Sequence, residues 1–202
     1  MPRIDAYTLM KILAGIGGLA LVFVLLSSMG GKPKPWEADS PRYIVGEMAS
    51  FERSFPSAPL PEVTLETPEG QVSLSQMAAG KVLVLNLWAT WCAPCVEELP
   101  SLAALQEELG DDYLVLAAAQ EGGDGSRQRA MLERIGAEEL GVALDPKLAL
   151  SRALGDGRLT LPVTAIYDAR GRRIGVLRRP ADWSSPEAVR LVRTIGAGEL
   201  PR

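Results

Sequence analysis

The chain holds two cysteines and no histidine in 202 residues. The pair forms one C-x-x-C, Cys92-Ala93-Pro94-Cys95, directly behind Trp88-Ala89-Thr90-Trp91 and a nearly uninterrupted apolar run over residues 81–88. This arrangement constrains the fold more than any other feature of the sequence. An apolar run of that length fits a strand buried on both faces, and the next periodic segment must be a helix that opens at the cysteines. Two thiols three residues apart suit reversible disulfide exchange, in which one thiolate attacks and the other resolves the mixed disulfide. A structural staple is the bland alternative. Loop-closure entropy grows with loop length, so closing four residues would stabilise little.

The missing histidines exclude Ser-His-Asp and Cys-His catalysis and any zinc or haem site that needs an imidazole. Two cysteines cannot complete a Cys₄ zinc site, so neither a metal nor a cofactor is expected. The formal net charge is −4, and no basic stripe interleaved with aromatics suggests a nucleic-acid partner. Hydrophobic residues make up 47 % and charged residues 23 %, enough apolar content for a buried core.

Residues 12–29 are uncharged and about as long as a membrane-spanning helix. Arg3 and Lys11 precede them, and Lys32 and Lys34 follow with Glu37 and Asp39 close behind, a slight bias toward an N-in orientation. Ser28-Met29-Gly30 is a poor substitute for a small-x-small cleavage site, so an uncleaved anchor is expected over a signal peptide. The expected organisation is an anchor over 1–34, a linker over 35–57 and a globular domain over 58–202. Prolines suggest a semi-extended stalk in the linker, with a short helix over residues 43–55 packed on the domain.

In the domain, residues 62–65 and 71–74 read as a hairpin, and Ser75 as the cap of a short helix. Then follow a strand over 81–88, a helix over 94–109 kinked at Pro100 and stopped by Gly110, and a strand over 113–118. A Gly-rich loop over 122–125 lacks the lysine and the strand-to-helix context of a phosphate loop. A helix over 126–135, a short strand at 142–144, a short helix over 147–154, a hairpin over 164–178 and a last helix over 186–195 complete the pattern. The fold class is α/β, a mixed sheet flanked by helices.

Residues 84–95 followed by Glu98-Leu99-Pro100 resemble the thioredoxin superfamily, in particular its membrane-anchored TlpA/ResA branch of periplasmic thiol:disulfide interchange proteins. Residues 161–171 resemble the second signature of that family, a cis-proline loop before a strand and an Asp-x-x-Gly turn. Pro180-Ala181-Asp182-Trp183 is similar to the TlpA type. Two departures stand out. Asn86 occupies the place of thioredoxin's buried acidic residue, and the extra structural cysteine pair often found in the TlpA branch is absent.

The resemblance implies a thioredoxin-like domain whose redox disulfide joins Cys92 and Cys95. Cys92 is the attacking thiol at a helix N-terminus, where unpaired N–H groups and the dipole favour thiolate. Cys95 is the buried resolving thiol. Trp91, Leu161 and Pro162 would bind substrate, with Trp91 as an apolar docking surface or else a core indole, and Trp88 in the core. Glu98 is the candidate proton acceptor, or else a charge on a solvated helix face, and Glu97 is expected to be exposed. The implied setting is the bacterial inner membrane, single-pass and N-in, with the domain in the periplasm and the N-terminal helix in the lipid bilayer. The implied partners are proteins with disulfides or copper-site cysteines, in cytochrome c biogenesis or cytochrome oxidase assembly, and a membrane thiol-electron donor. A disulfide-forming oxidant is the alternative, and a copper-binding assembly factor a distant third.

Overall fold

The computed structural model describes residues 44–155 and 160–199. The expected anchor over 1–34 and the first part of the linker lie outside the described residues. Among the described residues, no helix is long and apolar enough to cross a membrane.

The strands are β1 (Glu52–Arg53), β2 (Thr64–Thr67), β3 (Gly70–Ser73), β4 (Val82–Trp88), β5 (Tyr113–Ala119), β6 (Ala143–Leu144), β7 (Val163–Tyr167) and β8 (Arg173–Leu177). The α-helices are α1 (Leu74–Met77), α2 (Ala93–Leu109), α3 (Ser126–Ile135), α4 (Ala149–Leu154) and α5 (Pro186–Gly196). The strands form one mixed sheet in the order β1-β8-β7-β4-β5-β6-β2-β3.

The apolar run forms β4, and all seven of its residues are buried. It pairs in parallel with β5 and antiparallel with β7. Side chains alternate between the two faces of a strand. Val82, Val84 and Trp88 point into one core layer with Leu99, Leu102 and Leu105 of α2 and Leu191, Val192 and Ile195 of α5. Leu83, Leu85 and Leu87 point into the other layer, with Leu74 of α1 and Leu150 and Leu154 of α4. Asn86 shares the parity of Val84 and Trp88, so it lies on the α2 side. This single register fact builds the site.

The segment expected as linker and short helix differs from that expectation. Residues 46–48 form a 3-10 turn, and β1 then pairs antiparallel with β8. The pairing continues as Ser54 N–H donates to Ile174 O at 2.8 Å and Arg173 N–H donates to Ala58 O at 2.8 Å. An open β8 edge offers unpaired backbone groups, and this segment satisfies them, whereas a helix would not. Met48 and Phe51 are buried and anchor the strap. Gly175 makes the fit possible, since a Cβ there would sit 2.5 Å from the Phe51 ring and 2.6 Å from Glu52 O.

Smaller shifts have local causes. In the first hairpin the leading strand starts two residues later and its partner one residue earlier than expected, so the two close tightly on Pro68-Glu69. The cap of α1 is Ser73 rather than Ser75, because Ser73 and Gln76 form a reciprocal capping box. α2 runs through Pro100 as one element and ends at Gly110, whose φ of 75° suits glycine.

Candidate active site

The chain leaves the C-terminal end of β4 at Trp88 and enters α2 at Cys92, which is the N-cap residue. Pro94 sits in the first turn, where its missing N–H removes nothing the helix uses. Cys92 and Cys95 are joined in a disulfide. Cys92 lies nearer the surface, at 6 % exposure, and Cys95 is fully buried. The first turn of α2 carries no acidic residue, so nothing there offsets the positive end of the helix.

Trp91 is 64 % exposed, which removes the core-indole reading, while Trp88 is buried in the sheet. The resemblance implies a cis bond before Pro162, and the Leu161–Pro162 bond is cis. Val163 pairs with Leu87, so Leu161 and Pro162 reach the same end of the sheet as residues 89–92. Glu97 is exposed.

Glu98 takes no part in the solvated face of α2. The buried residues of this helix are Cys95, Glu98, Leu99, Leu102, Ala103 and Leu105, so the carboxylate stands within the apolar stripe, one turn after Cys95. It is 3 % exposed. Asn86 Nδ2 donates to Glu98 Oε1 at 2.6 Å. Ala181 N–H and Trp183 Nε1–H donate to Oε2 at 3.1 and 3.4 Å. Asn86 Nδ2 also donates to Thr164 Oγ1 on β7 at 2.9 Å. Burial pushes the Glu98 carboxyl up to about 7, with the bonds from Asn86, Ala181 and Trp183 pulling the other way. An acid titrating near neutrality can accept and return a proton at physiological pH.

Asn86 therefore does not leave the site without a carboxylate. The acidic group comes from the helix above rather than from the strand. Asn86 Oδ1 and Trp88 Nε1 are buried without a partner among the described residues. An amide that spends both N–H bonds and leaves its oxygen idle is oriented by the acceptors beside it. Glu98 also borders a surface cleft of about 330 Å³ shared with Glu47, Glu97 and Asp182.

One contributor went unnoticed in the sequence. Glu121, just past β5, accepts from Thr90 N–H at 2.8 Å, from Thr90 Oγ1–H at 3.2 Å and from Gln128 Nε2 at 3.0 Å. It ties down the backbone just before Trp91 and Cys92. Only its place at the end of a parallel strand, beside the end of β4, could have signalled this.

A family model described as Redoxin matches residues 55–184. The chain belongs to the Redoxin family. It is 46 % identical over 57 residues to the thioredoxin-like protein YneN of Bacillus subtilis, a match covering 28 % of this chain and 34 % of that protein. It is 32 % identical over 99 residues to the thiol-disulfide oxidoreductase ResA of Oceanobacillus iheyensis, covering 49 % of this chain and 44 % of that one. These matches span less than half the length of either relative. A secreted thiol-disulfide isomerase from Corynebacterium glutamicum superposes with a TM-score of 0.57 at 25 % identity, covering 71 % of this chain and 90 % of that structure. Together they support a TlpA/ResA-like member of the thioredoxin superfamily with the expected mixed sheet.

Proposed function

We propose that this protein is a membrane-tethered thiol:disulfide oxidoreductase that reduces protein disulfides. The observation that carries this reading is the Cys92–Cys95 pair at the start of α2, with a buried carboxyl one turn further on. In the reduced protein, Cys92 thiolate attacks a substrate disulfide, one substrate sulfur leaves as thiolate, and a mixed disulfide forms. Cys95 then attacks Cys92 Sγ, the second substrate sulfur leaves, and the internal disulfide closes. Glu98 accepts the proton that Cys95 must shed before it attacks. Trp91 offers the substrate an exposed apolar face, and Leu161, before the cis Pro162, offers its backbone to an extended segment.

Residues 12–29 anchor the chain in the bacterial inner membrane with the domain in the periplasm. Cysteines of cytochrome c biogenesis or of a cytochrome oxidase copper site are the proposed substrates. A reductant in an oxidising compartment needs electrons from elsewhere, and a membrane-embedded thiol donor is the proposed source.

The reduction potential of the Cys92/Cys95 couple in the full chain, equilibrated against glutathione, tests the direction. A value near or below about −200 mV supports the reductant, and a value near about −120 mV makes the protein a disulfide-forming oxidant instead. Cys92→Ser is expected to abolish reduction of a model disulfide, whereas Cys95→Ser is expected to accumulate Cys92-linked adducts. Retained turnover in Cys92→Ser overturns the mechanism.

A further inference from the structure

One of the three groups that address Glu98 is a backbone peptide with a second partner. The N–H of Ala181 donates to Glu98 Oε2 at 3.1 Å. The carbonyl of the same peptide unit, Pro180 O, accepts from Arg179 Nη1 at 3.1 Å. A single amide group thus lies between a guanidinium and a carboxylate. The peptide is planar, so whatever fixes its carbonyl also aims its N–H. A cation on the carbonyl further polarises the amide in the sense that strengthens its N–H as a donor.

The guanidinium is itself held by the strap that precedes β1. Arg179 Nε–H donates to Ser50 Oγ at 2.7 Å, and Nη2–H donates to Glu47 O at 2.7 Å. Glu47 Oε2 lies 3.7 Å from Nη1 and also accepts from Asp182 N–H at 3.4 Å. All three guanidinium nitrogens are engaged, each in its own direction. A planar fork reaches these acceptors from three separate nitrogens, whereas an ammonium offers its three donors from a single one.

We propose that Arg179 is a positioning residue for thiol–disulfide exchange: it orients and polarises the Pro180–Ala181 peptide, and so sets how tightly Glu98 holds its proton. The inference rests on the reading of Glu98 as the proton acceptor for Cys95. It also gives the strap a role beyond covering a sheet edge, because Glu47 and Ser50 hold the guanidinium in place.

The charged and titratable groups around Glu98 set the sign. α2 contributes Cys95 and Glu97, the 3-10 turn contributes Glu47, and the connection from β8 to α5 contributes Arg179 and Asp182. β4 and β7 contribute the neutral Asn86 and Thr164. Arg179 is the cation in this set. Removing it weakens a donor to the ionised carboxylate and leaves Glu47, Glu97 and Asp182 less balanced. Both changes favour the protonated form of Glu98.

The test is the pH dependence, from 5 to 9, of reduction of a cystine-containing peptide by the full reduced chain. The rate of the parent protein falls on the acid side as Glu98 protonates. In Arg179→Met that acid limb is expected to move to higher pH by about half a unit or more, which is about a twofold loss of ionised Glu98 at pH 7 and about threefold well below it. Arg179→Lys keeps the charge without the fork and is expected to move it less. Ser50→Ala, a surface change that removes one Arg179 partner, is expected to move it in the same direction and carries the test if Arg179→Met does not fold. A purely structural role lowers the melting temperature and leaves the limb in place, and that result overturns the proposal. An acid limb with the same midpoint in Glu98→Gln as in the parent overturns the reading of Glu98 itself, because the limb then belongs to the Cys92 thiolate alone, so the two failures are distinguishable.

Discussion

Two regions of this protein surround a carboxylate with N–H donors and drive it in opposite directions. In the turn between β7 and β8, Asp168 accepts from the backbone N–H groups of Arg170 and Arg172 at 3.0 and 2.9 Å. The Arg172 side chain closes on it with Nε–H at 2.8 Å and Nη2 at 2.7 Å. Some burial raises its carboxyl, but the Arg172 and Arg170 bonds and the Arg172 charge win, and it is held below the usual carboxylate value. Under α2, Glu98 receives three N–H donors, and burial prevails. The donor counts are similar. What differs is water and a directly paired cation. Asp168 has both and serves as a turn fastener, whereas Glu98 has neither and becomes a group that can exchange protons. The comparison teaches that donors alone do not decide the charge of a buried carboxyl.

The sharpest way to break this comparison is to neutralise each carboxylate in turn and follow exchange. Glu98→Gln is expected to slow reduction of a model disulfide about 10²-fold near neutral pH and to flatten the pH–rate profile, in the range of a lost general base. An unchanged profile would return Glu98 to a structural role.

Stability against pH gives the next largest effect, with opposite signs for the two sites. Glu98 titrates near 4.5 when unfolded and near 7 when folded, so the folded chain binds the extra proton between those values. Its contribution to stability is therefore lost as pH rises from about 4.5 to about 7, by about 3 kcal/mol. Denaturant melts of the oxidised chain across that window should show this slope, and Glu98→Gln should remove it.

Asp168 runs the other way. Its folded value is depressed, so its contribution is present above the unfolded value of 3.8 and is lost as pH falls through the folded one. Asp168→Asn is expected to cost at most about 1 kcal/mol at pH 7, because the Arg172 side chain is largely in water. The same variant should leave the pH–rate profile of exchange untouched. A shifted profile would mean that the two sites are coupled through β7.

Much of this contrast was legible in the sequence, for reasons that differ by residue. β4 was evident because a strand covered on both faces must be apolar throughout, and α2 because its leucines recur at helical spacing up to Gly110. The spacing also carried the burial of Glu98, since positions 95, 98, 99 and 102 share one face, but a carboxylate in such a stripe reads equally as an edge charge. Its donors could not be read. Ala181 and Trp183 lie more than 80 positions away, and backbone N–H groups leave no trace in a residue pattern. The strap has the apolar content of a short helix in the sequence, but pairing on the β8 edge is a tertiary choice, permitted by the missing side chain at Gly175. Glu121 carries no sequence signal of its role, since its work is to hold Thr90, 31 positions earlier.

The most direct measurement is a titration of the Glu98 carboxyl carbon by ¹³C NMR in glutamate-labelled full-length protein, with the resonance assigned by its loss in Glu98→Gln. A midpoint near 7 is expected. A midpoint in the ordinary carboxylate range, near 4.5, contradicts the claim that burial under α2 makes Glu98 the proton acceptor of the Cys92–Cys95 pair.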